Sequence, residues 1–181
     1  NLACISNDTS FVLNEKLSTS INLDAFEPMV IASKEAGIKR FIYASSSSVY
    51  GIREEENVTE DLELAPLTDY SKFKAECEDI MMNEFSDDKI ITILRPATVC
   101  GYSTRQRFDL VVNTMFKNAI INGEITVNNP SIWRPIFHIQ DACSAFIRSI
   151  QAPDNISGVF NVASDNYTLG QIGDIVGAEM S

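Results

Sequence analysis

A chain of 181 residues with 45% apolar side chains holds material for one domain and a sizeable core. A formal charge of −11, with no basic cluster to neutralise a phosphate backbone, argues against nucleic acid as a partner. No apolar stretch approaches the roughly 20 residues of a membrane span, and no signal peptide or membrane partner is expected.

Residues Leu2 to Ile5 read as the end of a buried strand, and Asn7, Asp8, Thr9 and Ser10 as a polar connection. Apolar residues at Ile21, Leu23, Phe26, Met29, Val30 and Ala36 carry a helical period across 20–37, closed by Gly37. Phe41-Ile42-Tyr43-Ala44 then reads as a short strand. Strand, helix and strand in that order predict an α/β fold with a parallel sheet.

Residues 51–66 are acidic and aperiodic, a loop whose run Arg53-Glu54-Glu55-Glu56 is solvated. A helix from near Asp69 turns Phe73, Ala75, Cys77, Ile80, Met81 and Phe85 inward. Residues 89–94 form a buried strand that stops at Pro96, and 98–105 a loop at its carboxyl end. Ligands of open α/β sheets collect at such ends. A helix over 108–121, Gly123, a short strand Ile125-Thr126-Val127 and the turn Asn128-Asn129-Pro130 follow. After Trp133-Arg134-Pro135 the α/β pattern returns. A helix beyond Asp141 faces Ala145, Phe146 and Ile150 inward, Gly158 to Val162 is a strand, and a last helix begins near Leu169.

Cys4, Cys77, Cys100 and Cys143 are far apart without CxxC spacing, and His138 is the lone histidine. That pattern predicts reduced thiols in a cytoplasmic protein and no metal site.

Tyr70 and Lys74 stand four apart in the helix that starts near Asp69, so both rise from one face. A positive charge beside a phenol favours the phenolate and makes a base of it. The strand before this helix ends in Ser45-Ser46-Ser47-Ser48. A hydroxyl such as Ser46 could hold the substrate oxygen whose proton Tyr70 removes, with Ser45 and Ser47 as rivals.

Five landmarks now stand in order: Asn1-Leu2-Ala3-Cys4, Phe41 to Gly51, Tyr70 to Lys74, Arg95-Pro96-Ala97-Thr98-Val99-Cys100-Gly101, and Trp133-Arg134-Pro135 leading to His138 and Asp141. Together they resemble the extended short-chain dehydrogenase/reductases that act on nucleotide sugars, UDP-glucose 4-epimerase among them. The resemblance implies a Rossmann-type doubly wound parallel sheet, incomplete here, with a small substrate-side lobe. It implies a partial NAD-binding domain over 1–102, a substrate-side segment over 103–135 and a return to the sheet over 136–181.

It also implies roles. Ser46, Tyr70 and Lys74 would be catalytic, with Tyr70 the general base and acid and Lys74 bonded to the nicotinamide ribose. Leu2, Ala3, Cys4, Ser45, Pro96 and Val99 would join Tyr70 and Lys74 around NAD, with NADP a second possibility. Ser46, Thr98, Asn113 and Arg134 would meet the nucleotide-sugar substrate, Arg134 at its diphosphate. Many epimerases of the family have Asn where Thr98 stands, which leaves the sugar open. Ser47 and Ser48 replace the Asp-Glu pair of the 4,6-dehydratases, which disfavours that chemistry. The implied reaction is epimerisation through a keto intermediate. A keto-sugar-nucleotide reductase and a non-catalytic dinucleotide-sensing protein are the rivals. Helices 20–37 and 69–85 match those that form a dimer interface in relatives, so a homodimer is expected.

None of the eight glycines forms a GxGxxG turn between a strand and a helix. The expectation is a fragment of a longer enzyme, inactive alone.

Overall fold

The structure, a computed structural model, describes residues 1–6, 8–55, 57–85 and 89–180, so Asn7 and Glu56 lie outside the described residues. In chain order, α1 (Asp8–Phe11), α2 (Glu15–Thr19) and α3 (Phe26–Glu35) precede β1 (Arg40–Ala44). Next come α4 (Asp69–Glu84), β2 (Ile90–Pro96), β3 (Thr98–Cys100) and α5 (Val111–Asn122). The chain closes with β4 (Trp133–His138), α6 (Ile139–Gln151), β5 (Gly158–Val162), β6 (Asp165–Thr168) and α7 (Leu169–Met180). It divides into two compact units, residues 1–96 with 146–161 and residues 97–145 with 162–181.

The first unit is built on β1 and β2, parallel, with Arg40 opposite Ile90 and Ala44 opposite Leu94. β5 is the other neighbour of β2. Alternation along the strands sends Phe41, Tyr43, Ile91 and Ile93 to one face. There they meet Phe26 and Val30 of α3 and Cys77, Met81 and Phe85 at α4. Phe26 lies 4.7 Å from Tyr43 and Phe41 5.5 Å from Phe85, ring centre to ring centre. Burial of each such side chain stabilises by roughly 1.5–3 kcal/mol.

A π turn over Ser20–Asp24, in which Ala25 N–H donates to the Ser20 carbonyl at 3.1 Å, leads into α3. The helix stops where expected. Gly37 takes φ 74°, and the N–H of Ile38 donates to the carbonyl of Ser33 at 3.1 Å, a Schellman closure. At the start of α4, Thr68 and Ser71 cap each other's backbone N–H groups, and Asp69 adds a negative charge to the first turn.

The segment Leu2 to Ile5 is not a strand. Asn1 lies beside β1, its N–H on the Ile42 carbonyl and its own carbonyl accepting from Ala44 N–H at 3.4 Å. Asn1 Oδ1 then takes the N–H of Ala3 at 2.9 Å and turns the chain out of the ladder. Asn22 holds Ile5 by both backbone groups, and Leu2 is 69% exposed.

In the second unit β4 is central, parallel to β3 and antiparallel to β6. Its core joins Met115, Ile136, Ile172 and Val176. Three readings change here. Thr98 to Cys100 is a strand rather than loop, because it pairs with Ile136 to His138. Ile125 and Val127 form no strand; their side chains pack on the core without ladder bonds. Asp165 to Thr168 forms the unexpected edge strand β6. On α6, Ala142, Ala145, Phe146 and Ser149 form the less exposed stripe, and Ile150 lies outside it at 65% exposed. No helix among the described residues is long and apolar enough to cross a membrane.

Candidate active site

Tyr70 is the second residue of α4, in the turn where helix N–H groups and the macrodipole favour negative charge. Lys74, one turn on, is 5% exposed. Its ammonium donates to the Ala44 carbonyl at 2.7 Å and lies 4.9 Å from the Tyr43 ring centre and 5.7 Å from that of Tyr70. Burial holds Lys74 below its usual pKa, while Cys4, Cys77 and Glu78 act in the opposite direction.

Burial also pushes the Tyr43 phenol well above the ordinary tyrosine range. Two phenols flank one ammonium, Tyr43 buried and Tyr70 half-buried. Asn1, Ala3, Cys4, Tyr43, Tyr70 and Lys74 are among the residues that line one cleft. Leu2 is not among them.

Ser46 caps the 3-10 turn Ser47–Tyr50 that follows β1. Its Oγ accepts from the Ser48 N–H at 3.2 Å and from the Ser48 hydroxyl at 2.9 Å. Ser47 lies within that turn, half-buried. The Ser45 hydroxyl points inward, donating to Glu78 Oε1, and Ser45 is 3% exposed. Pro96 ends β2, half-buried.

The remaining expected residues belong to the second unit. Thr98 and Val99 sit on β3 opposite Ile136 and Phe137. Asn113 on α5 donates to the Arg107 carbonyl at 2.8 Å. Arg134 is exposed on β4, opposite Tyr167.

Sequence reasoning missed Glu78 and Arg95. Arg95 Nε reaches Glu78 Oε1 at 3.1 Å and Nη2 reaches Oε2 at 2.6 Å. Both side chains are 5% exposed. The signal was present: Glu78 interrupts the buried stripe of α4, and Arg95 directly follows a run of buried β2 residues. Buried charges need partners, so each was a pointer to the other.

An α/β chain with a parallel sheet, and a helix-borne Tyr and Lys beside its strand end, defines the class: a Rossmann-type protein. The sequence profile described as the NAD dependent epimerase/dehydratase family matches residues 1–163, and the chain belongs to that family. An uncharacterized UDP-glucose epimerase of Bacillus subtilis, YtcB, is 28% identical over 160 residues, 87% of this chain and 46% of its own. The UDP-N-acetylglucosamine 4-epimerase of Methanobrevibacter ruminantium M1, solved with UDP-N-acetylmuramic acid, superposes with a TM-score of 0.84 at 26% identity. That match covers 98% of this chain and 58% of the enzyme. The UDP-glucuronic acid 4-epimerase of Bacillus cereus, solved with UDP-glucuronic acid and NAD, gives 0.81 at 26% identity over 97% of this chain and 58% of its own. The chain thus spans about half the length of these relatives.

Proposed function

We propose that this chain supplies the proton-transfer half of an NAD-dependent nucleotide-sugar epimerase. The observation that carries the reading is Lys74, buried and hydrogen-bonded to Ala44, one helical turn from a half-buried Tyr70 at a helix N-terminus. The charge and the dipole both favour the phenolate, so Tyr70 can take a sugar hydroxyl proton and return it. Ser46, whose Oγ accepts from Ser48, has its own O–H to offer the same sugar oxygen.

We assign this cleft to the nicotinamide ribose of NAD by the chemistry of its donors. It offers a phenol and an ammonium, donors suited to a ribose and its ring, with Ala3 and Cys4 alongside. The 181 residues carry no Gly-rich turn for the pyrophosphate. NAD, when bound, supplies the redox step. The protein's own part is to orient the sugar and move its proton. On this reading Thr98, Asn113 and Arg134 belong to sugar-nucleotide binding, with Arg134 suited to a diphosphate. Helices α3 and α4, side by side on one sheet face, are assigned to a homodimer contact, which sedimentation of the whole protein tests.

The deciding experiment incubates the whole protein with UDP-sugars and NAD, without added NADH. Interconversion of two epimers, lost about 10²–10⁴-fold in Tyr70→Phe, is the expected result. Turnover only while NAD(P)H is consumed would make the protein a reductase instead.

A further inference from the structure

Both ends of the Ser46 turn are tied to one buried ion pair. At the near end, Ser45 donates its hydroxyl to Glu78 Oε1. At the far end, the Tyr50 hydroxyl accepts from Arg95 Nη1 at 2.7 Å and donates to Asn161 Oδ1 at 2.8 Å. Glu78 and Arg95 close the circuit between them. Arg95 also donates to the Glu60 carbonyl at 3.1 Å, and the Glu60 carboxylate takes the Asn161 N–H at 2.7 Å. The acidic loop is thereby joined to the same cluster. Ser45, Tyr50, Glu78 and Arg95 are all between 3% and 5% exposed.

We propose that Glu78 and Arg95 are positioning residues that clamp the Ser46 turn to the face of α4 bearing Tyr70 and Lys74. The catalytic consequence rests on the reading of those residues given above. Glu78 follows Lys74 by four and Tyr70 by eight, so clamp and proton-transfer groups share one helical stripe. An apolar pair of equal volume could stabilise this core as well as an ion pair does. What apolar side chains cannot do is hold Ser45 and Tyr50 by directed hydrogen bonds, which fixes the turn as well as burying it.

Amide hydrogen exchange and steady-state kinetics on the whole protein test this, with Glu78→Gln and the milder Ser45→Ala, which leaves the ion pair whole. In both variants the amides of Ser48, Val49, Gly51 and Ala65 should exchange about tenfold faster while those of β1 and β2 stay protected. On a UDP-sugar, kcat should fall about tenfold with KM within about twofold of wild type. Unchanged exchange at the turn in both variants overturns the proposal. So does unchanged kcat in an enzyme that Tyr70→Phe inactivates. A wild type inert toward UDP-sugars whose turn still loosens would refute the epimerase reading while supporting the clamp.

Discussion

Lys74 gives its ammonium to the carbonyl of Ala44 at 2.7 Å, so a charge on the helix that carries Tyr70 is bonded to the last residue of the strand that leads into the serine run. That charge also faces the Tyr70 ring. Lys74→Met should therefore move the rise of the whole protein's residual activity to higher pH, because the phenolate loses its nearby cation. A pH–rate profile of kcat/KM reads this directly. An unshifted profile would detach Lys74 from the acidity of Tyr70.

Burial pushes the Cys77 thiol up to about 11, and its Sγ donates to the Asn22 carbonyl at 3.2 Å. A raised folded pKa means that the folded chain keeps this proton after the unfolded chain has released it. The linked stability is complete below about pH 9 and fades as pH rises toward 11. Urea unfolding at pH 8 and at pH 10.5 should differ by on the order of 2 kcal/mol from this group. The difference should shrink in Cys77→Ala.

Two glycines share a positive φ, but Gly51 adds a ψ of −143°, a region nearly confined to glycine, and a close neighbour. Gly37 (φ 74°) has open space where a Cβ would go, whereas at Gly51 (φ 70°) the same atom would lie 2.1 Å from the Ala65 carbonyl oxygen. Gly37→Ala should cost about 1–2 kcal/mol, the conformational penalty alone. Gly51→Ala should cost more, roughly 3 kcal/mol or above, since its φ and ψ are strained for any side chain and the Ala65 backbone must also move. Equal losses in denaturant unfolding would show that the close approach at Ala65 is not maintained.

Thr68 caps α4 by accepting from the Ser71 N–H at 3.2 Å. Thr68→Ala should lower stability by about 1 kcal/mol, and Thr68→Ser should restore most of it. Thermal unfolding of the three proteins decides whether the cap carries that weight.

Much of the fold was legible because it is written locally. Phe41 to Ala44 and Ile90 to Leu94 are apolar runs of strand length, and Gly37 marks a helix end by its freedom at positive φ. Tyr70 and Lys74 stood out by their spacing together with the serine run that precedes their helix. The misreadings share a different cause. Leu2 to Ile5 looks like a strand, yet Asn1 and Asn22 side chains take its backbone groups. Asp165 to Thr168 is polar and becomes a strand only because Trp133 to Ile136, far away in sequence, lies beside it. Glu78 looked like an ordinary charge on a helix of charges, since its partner on β2 lies 17 residues away.

Residues 70, 74 and 78 lie along one line of α4, and that arrangement limits how the gene can drift. Losing or gaining a single codon between them would swing everything downstream by about 100° around the helix axis. Tyr70 and Lys74 would then face one way and Glu78, which takes the Ser45 hydroxyl, another. Single-residue replacements on this helix away from that line can be absorbed one at a time. Changes in its length cannot, so homologues should vary in length on either side of this nine-residue register and not within it.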